Sequence, residues 1–437
     1  MPEPRTAREA GVIGRAGAAS GSGSGTERAA SRLSWLRQPA GSVPLRIPDR
    51  VFWLGAIALA ILGSLELAIA PFRQFIDFPQ FWAAGRTVGT PALVDPGLHT
   101  AWEAANGLGL GWWVYPPGSA WLFVPFGFWS LAVGYWLHAA VMTGLVVVAA
   151  VLGARIYGLD RRVGLAVAFA WTPAMGSAIV GQNAMLGLVL ALVAIEGLRR
   201  DDDLLAGLAV GLLLYKPTLA LPLIGLLLLR RRWPALLVGL ACAVGWYLAG
   251  VAAAAGDWQW PGRWVSIVGD YYTGDTAFNV ARTISVPGLL QGHGAPAALT
   301  LGIGLVMVVL AIPRLVRAPI IEAGAGALLV GLAVSPHTLN YEGAMVLPAL
   351  MWAIGNSATG ISEPARTRLV LAAYLVAPIY LFAEAIGFSS LVFITFIGAA
   401  VWISGWRRIR TQDDEAGGGL IHVLQSRLRR GVRRAGP

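Results

Sequence analysis

Apolar stretches close to 20 residues long recur along most of this 437-residue chain. About 20 such residues in a helix match the thickness of the hydrocarbon core of a bilayer. Hydrophobic residues make up 56% of the sequence and charged residues 13%, whereas soluble proteins carry about 25% charged residues. The sequence therefore predicts an all-α, polytopic bundle of transmembrane helices. It excludes a soluble globular enzyme, a disordered chain and, with one cysteine, a disulfide scaffold.

The membrane domain is predicted to cover residues 50–405, with about 10–12 membrane segments. Two of the segments are too short to cross a bilayer and are expected to be short helices that meet at Lys216–Pro217. A further short re-entrant or interfacial helix is expected at 118–130. The predicted segments are 51–70, 134–154, 163–180, 183–198, 204–215, 217–229, 234–254, 298–313, 319–335, 341–355, 367–386 and 389–405.

Two polar tails flank this domain. Residues 1–49 are rich in Ala, Gly, Ser and Arg, lack apolar periodicity and are predicted to be disordered. Residues 406–437 form a second basic tail, either solvated or lying as a short amphipathic helix on the inner leaflet.

Arginine placement predicts the orientation of the chain in a plasma membrane. The clusters of arginine between the predicted spans can all be cytoplasmic if both termini are inside, as the positive-inside rule requires. Residues 71–117 and 256–297 then become long extracytoplasmic loops, and loops of that kind carry function. The net charge of +10 is assigned to this bias and to anionic membrane lipids rather than to nucleic acid.

Three polar or aromatic motifs at the predicted outer face are candidates for chemistry. Asp77 lies among aromatic residues, where a raised pKa would suit a general base, although it could simply cap the following helix. Tyr115 and Pro116 form either an interfacial aromatic belt with a turn or a surface for a glycan. Gln182 and Asn183 follow Gly181 in a tight turn that could be structural or could contact substrate.

Lys216, the only lysine of the chain, is the most informative single residue. An ammonium group inside an apolar segment costs about 2.5–3.5 kcal/mol on insertion scales, so it should face a cavity or an anion. A phosphate on a lipid carrier is one such partner. The alternative is a side chain that extends to the outer headgroups.

Two outer segments contribute further candidates. Residues 256–297 contain Tyr272, Asn279 and Arg282, and the arginine fork matches the geometry of a phosphate. His337 follows a predicted span at the outer face and could bond a phosphate or an acceptor hydroxyl, or be an ordinary interfacial residue.

The ordered set of these motifs resembles glycosyltransferase family 87, the polyprenol-phosphate-mannose-dependent mannosyltransferases of the GT-C superfamily. The resemblance spans roughly residues 75–350. The matching pieces are Ile76-Asp77-Phe78 with Ala83-Ala84-Gly85, Tyr115-Pro116-Pro117, Gly181-Gln182-Asn183, Lys216-Pro217 ahead of Arg231-Arg232-Trp233, and Ser335-Pro336-His337.

The resemblance implies the GT-C architecture, with a catalytic acid in the first outer loop, and Asp77 occupies that position. It implies a polyprenyl-phosphate-sugar donor, with mannose as the expected sugar, and a glycolipid or glycan acceptor on the outer face. Inverting transfer would then use Asp77 as the base. The remaining roles are expected to divide into donor phosphate binding by Lys216, Arg282 and His337, and substrate or glycan binding by Tyr115, Pro116, Gln182, Asn183, Tyr272 and Asn279.

No metal ligand or organic cofactor is expected, although a divalent cation is compatible with the reaction. One alternative is a transporter or lipid flippase with its site at Lys216–Pro217, since transporters bind substrates at broken helices. The other is an outer-face ligase or polymerase that takes a whole oligosaccharide from its lipid carrier.

Overall fold

Helices account for nearly all regular structure in the part of the chain that the structure describes. The computed structural model describes residues 77–109, 113–355 and 391–404, with single positions at 55, 368, 372, 375, 379, 383, 386 and 387. The predicted tails, and almost all of the predicted spans 51–70 and 367–386, lie outside these residues. The described residues belong to one compact unit, Gly41–Pro437.

Short 3₁₀ turns join or extend several of the helices, most notably at Pro117–Phe123, Leu213–Tyr215, Val280–Arg282 and Asn340–Val346. The α-helices in chain order are α1 Phe78–Thr87, α2 Pro96–Ala105, α3 Val124–Gly127, α4 Leu131–Tyr157, α5 Arg161–Ala170, α6 Thr172–Ile179, α7 Ala184–Arg199, α8 Asp203–Leu212, α9 Pro217–Leu229, α10 Trp233–Ala253, α11 Trp260–Phe278, α12 Val286–Gly292, α13 Ala297–Arg317, α14 Ile320–Val334, α15 Leu347–Gly355 and α16 Leu391–Ser404.

Three of the described helices, α4, α10 and α13, are long and apolar enough to cross a membrane. Their outer faces carry exposed leucines, including Leu237 and Leu240 of α10 at 67% and 61% exposure. Side chains of this kind are stable where they contact lipid rather than water. The predicted fold class is therefore confirmed as a helical membrane bundle.

Most predicted spans agree with observed helices to within a few residues, and α9 has the predicted bounds. The span 163–180 was wrong as a single helix, because α5 ends and α6 begins around Trp171, with Pro173 in the first turn of α6. The predicted helix at 118–130 is a 3₁₀ turn followed by the one-turn helix α3.

The prediction of a long loop at 256–297 was wrong in part, because α11 occupies 19 of these residues and α12 a further seven. The segment mixes tryptophans, tyrosines and aspartates without a clear apolar stripe, so periodicity gave no signal for a helix. A helix-start signal was present in Pro261, which lies in the first turn of α11, where a missing N–H costs nothing.

Small residues let the central helices approach closely. A Cβ on Gly207 of α8 would lie 2.4 Å from the carbonyl oxygen of Ala235, and one on Gly211 would lie 2.4 Å from Cβ of Cys242. These contacts pack α8 against α10, as small residues do between membrane helices. The packing holds the α8–α9 break, and with it Lys216, at a defined position.

Candidate active site

Asp77 lies at the N-terminus of α1 but does not cap it. Its side chain makes no bond to the first-turn N–H groups. Instead its Oδ2 accepts a hydrogen bond from Nε2 of Gln182 over 2.9 Å, while its backbone N–H donates to the carbonyl of Val180 over 3.0 Å. The capping alternative for Asp77 is therefore wrong, and the carboxylate is held by the α6–α7 turn.

The α6–α7 turn has the tight geometry that the sequence predicted. Gly181 adopts φ +81°, and a Cβ at this position would lie 2.5 Å from Cβ of Phe78. Only glycine satisfies both the positive φ and the close approach to α1. Ser177 closes the turn, since its hydroxyl donates to the carbonyl of Gln182 and accepts from the N–H of Ala184.

A directional chain of hydrogen bonds runs from Lys216 to Asp77. Nζ of Lys216 donates to the hydroxyl of Tyr115 over 3.3 Å, that hydroxyl donates to Oε1 of Gln182 over 3.1 Å, and the Gln182 amide donates to Asp77. An ammonium can only donate, so it fixes the direction of every bond after it. The amide nitrogen of Gln182 is thereby aimed at Asp77, whose Oδ2 accepts the bond.

Lys216 is paired with an acid that the sequence analysis had not assigned. Its Nζ lies 2.5 Å from Oε1 of Glu342, and the rings of Tyr115 and Tyr341 lie 5.2 Å from it. Lys216 is only 9% exposed, so the extended-to-headgroup alternative is wrong. Pro217 explains the local geometry, because the residue before a proline is kept out of the helical region.

The only sequence signal for Glu342 was the need of Lys216 for an anionic partner, and it did not say which acid supplies it. A buried ammonium requires a counter-ion, and Glu342 ends the same polar run that contains His337. Its Oε2 accepts the N–H of Leu339 over 3.0 Å, so the carboxylate is held by its own 3₁₀ turn. The residue is 3% exposed.

The electrostatics of Asp77 suit a general base. Burial raises the pKa of its carboxyl above the usual value, while the hydrogen bond from Gln182 and the charge of Arg282 oppose this rise. A raised pKa gives a carboxylate more affinity for a proton from a substrate hydroxyl. Its basic form is lost as the pH falls through that raised pKa.

A second group of side chains gathers around His337. Its Nε2 lies 3.4 Å from Oδ2 of Asp275, and its ring stacks on Tyr272 with 4.2 Å between the ring centroids. Asn279 donates to Oδ1 of Asp275 over 2.8 Å. Asp275 was not singled out from the sequence, because its contact with His337 joins segments that lie far apart in the chain.

Backbone pairing and charge join the two groups. Ile284 donates its N–H to the carbonyl of Thr338 over 3.0 Å, which ties the segment after Arg282 to the segment of His337. Arg282 acts electrostatically on Asp77, and Lys216 acts on His337. These interactions link residues that were predicted from four separate motifs.

Pro116 and Asn183, two of the predicted substrate-binding residues, accept hydrogen bonds from other residues of the protein through their carbonyl groups. The carbonyl of Pro116 accepts the hydroxyl of Ser119 over 2.7 Å. Asn183 is buried, and its carbonyl accepts the hydroxyl of Tyr215 over 2.9 Å. These contacts shape the turns that carry Tyr115 and Gln182.

Among the described residues, no group of three His, Cys, Asp or Glu side chains is arranged to hold a metal ion.

The comparisons with known proteins give one match. The model of glycosyltransferase family 87 matches residues 113–336, just over half of the chain. This range contains Tyr115, Gln182, Lys216 and Arg282, whereas Asp77 precedes it and His337 is the residue after it. No curated protein and no solved structure matches the chain. The family match covers enough of the sequence to assign it: the chain belongs to glycosyltransferase family 87.

Proposed function

We propose that this membrane glycosyltransferase moves a hexose, with mannose as the first choice, from a polyprenyl-phosphate donor to a lipid- or glycan-linked acceptor. The reaction would occur at the outer face of the plasma membrane, with both termini of the chain in the cytoplasm. Family membership supports the glycosyltransferase activity. The donor, the acceptor and the orientation are part of the proposal.

The observation that carries the proposal is the chain of donors from Lys216 to Asp77. It keeps one carboxylate oxygen of Asp77 engaged by Gln182 and leaves the carboxylate to receive a proton from an acceptor hydroxyl. The cationic side chains Lys216 and Arg282 both act electrostatically on Asp77. A base beside positive charge is what sugar transfer from a phosphate requires, since negative charge develops on the leaving group.

The proposed reaction is a single displacement. The acceptor oxygen attacks the anomeric carbon, its proton passes to Asp77, and the bond between the anomeric carbon and the phosphate oxygen breaks. Polyprenyl phosphate leaves with the bonding electrons and needs no strong acid. A β-linked donor would thus give an α-glycoside, with inversion.

Substrate contacts are proposed both to the donor phosphate and to the transferred sugar. Arg282, Lys216 and His337 would face the donor phosphate, with Lys216 exchanging part of its interaction with Glu342 for it. Tyr272 and Asn279, with Tyr115 and Gln182, would contact the sugar. Pro116 and Asn183 would act by shaping the turns that carry these side chains.

A panel of lipid donors tests this proposal. Purified protein in nanodiscs receives radiolabelled polyprenyl-phosphate mannose, glucose or arabinose, or a lipid-linked oligosaccharide, together with membrane glycolipids as acceptors. Labelled glycolipid from a single-sugar donor, with mannose the most efficient, supports the proposal. Transfer only from the oligosaccharide donor would favour a ligase or polymerase. Transfer from none of the donors, with movement of the lipid across the bilayer, would favour the transporter alternative.

A further inference from the structure

Asp275 of α11 is an acid with a largely buried side chain for which the proposed reaction provides no role. Its Oδ1 accepts a hydrogen bond from Asn279, one helical turn further along, over 2.8 Å. Its Oδ2 lies 3.4 Å from Nε2 of His337. The carboxylate is therefore anchored by its own helix and turned toward an imidazole that comes from a distant part of the chain.

The imidazole of His337 is held on two sides. Tyr272 covers its face with an angle of 28° between the two rings, and Asp275 meets its edge. The side chains of His337 and Asp275 are 15% and 9% exposed. This arrangement leaves the imidazole ring little freedom to rotate, or to flip so that Nδ1 and Nε2 change places.

The nearness of Asp275 favours one form of the neutral ring, the one with its hydrogen on Nε2. A carboxylate only accepts hydrogen bonds, so a hydrogen on Nε2 faces an acceptor, whereas a lone pair on Nε2 would face the negative charge of Asp275. Nδ1 then carries the lone pair. The 3.4 Å contact is longer than an ordinary hydrogen bond of about 2.7–3.2 Å. Such contacts commonly shorten when a ligand binds.

We propose that Asp275 and His337 form a proton-binding pair for the lipid phosphate, in which Asp275 fixes the Nε2–H form of His337 and Nδ1 takes up a proton when a phosphate group binds. The proton comes from solvent and forms one N–H bond, and no other bond changes. Asp275 acts as a positioning residue in this pair. The inference rests on the polyprenyl-phosphate donor proposed above.

The charges around His337 agree with this assignment. Asp275 of α11, Glu342 of the 3₁₀ turn at Asn340–Val346 and Lys216 before α9 all act on the imidazole. Burial lowers the pKa of His337 in spite of the two carboxylates, so the ring is neutral near pH 7 until another negative charge arrives. A phosphate supplies that charge and raises the pKa.

Proton uptake would also help the transfer itself. The donor is a phosphodiester with one negative charge, whereas the released polyprenyl phosphate is a monoester that carries about −1.5 to −2 at pH 7. An imidazolium held between this group and Asp275 would stabilise the charge that develops as the sugar leaves.

Calorimetric binding of a phosphate lipid tests the pair without any turnover. The probe is the methyl diester of a short-chain polyprenyl phosphate, whose single charge does not titrate near neutral pH. Binding at pH 7 in two buffers with different ionisation enthalpies gives the number of protons taken up. The variants are Asp275→Asn and His337→Gln, and Asp270→Asn provides the same charge change at an exposed position on the same helix.

We expect the wild type and Asp270→Asn to take up a large fraction of a proton for each probe bound. Their affinity should fall by up to about tenfold per pH unit above pH 7. Asp275→Asn and His337→Gln should bind more weakly at pH 7, without proton uptake and with a flat pH dependence. If Asp275→Asn does not fold, His337→Gln decides the question by the same two readouts.

Three results would overturn the pair. Binding to the wild type without proton uptake refutes it and leaves the donor proposal intact, as does uptake that persists in His337→Gln. Failure of the wild type to bind the probe, while the donor panel gives sugar transfer, also refutes the pair alone. Failure of both binding and transfer removes the polyprenyl-phosphate donor as well.

Discussion

Replacement of Gln182 by Met removes the amide that donates to Asp77 while keeping a side chain of similar size. Gln182 is 2% exposed, and its amide joins the Tyr115 hydroxyl to the Asp77 carboxylate. The substitution therefore cuts the directional chain at its last link. It leaves Asp77 itself, and the pair of Lys216 with Glu342, in place.

The expected effect is a shift in the pKa of Asp77. A hydrogen bond to a charged group contributes about 1.5–3 kcal/mol, and one pKa unit corresponds to about 1.36 kcal/mol. Asp77 is partly exposed, so solvent screens the interaction and the lower end applies. The bond from Gln182 lowers the pKa of Asp77, so its loss should raise that pKa by about one unit.

The assay is the pH dependence of kcat/KM for sugar transfer, which reports groups of the free enzyme. In the proposed mechanism, activity requires ionised Asp77 and is lost as the pH falls through its pKa. The acidic limb of Gln182→Met should therefore move up by about one pH unit, with rates near those of the wild type at higher pH. Gln291→Met is a matched control, because Gln291 donates to Thr300 on a different pair of helices.

Tyr115→Phe gives a graded comparison. It leaves Nε2 of Gln182 able to donate but removes the hydroxyl that orients the amide, so its acidic limb should move by less than that of Gln182→Met. An unchanged acidic limb in Gln182→Met, or a shift to lower pH, would refute the claim that this chain sets the pKa of Asp77.

Two further predictions concern stability, measured as thermal unfolding in detergent. Gly181→Ala places a methyl group 2.5 Å from Cβ of Phe78 at φ +81°, and it should cost at least about 2 kcal/mol of unfolding free energy. Gly176→Ala, with open space around it, is the control and should be neutral. Equal melting temperatures of the two variants would contradict the steric argument. Glu342→Gln leaves the buried Lys216 ammonium without its counter-ion and should cost about 3–5 kcal/mol. The double variant with Lys216→Met should recover much of this loss, and no recovery would contradict the pairing.

The membrane helices could be predicted from the sequence because their apolar runs carry a strong signal. α9 shows this best, since Lys216 precedes it, Pro217 is its first residue and arginines follow it. α11 could not be predicted in the same way, because its sequence alternates aromatic, polar and apolar residues without a stripe. The sequence analysis also missed the helix break at Trp171, because both halves of the segment 163–180 are apolar.

The candidate site was predictable in its members but not in its connections. The position of Lys216 in an apolar segment indicated an anionic partner, and the sequence analysis named a substrate phosphate for it. The structure also shows an ion pair with Glu342. Pairing of this kind depends on which distant segments of the chain meet, and a single sequence does not reveal that. Asp275 was hidden for the same reason, because its contact with His337 joins α11 to the segment after α14.

The most direct test of the central claim is sugar transfer from radiolabelled polyprenyl-phosphate mannose by the wild type, Asp77→Asn and Asp270→Asn. All three are assayed in nanodiscs at pH 8 with membrane glycolipids as acceptors, and donor binding is measured in parallel. The account predicts labelled glycolipid from the wild type and Asp270→Asn, and loss of transfer by Asp77→Asn with donor binding retained. Equal transfer by Asp77→Asn and the wild type would contradict the role of Asp77 as the base.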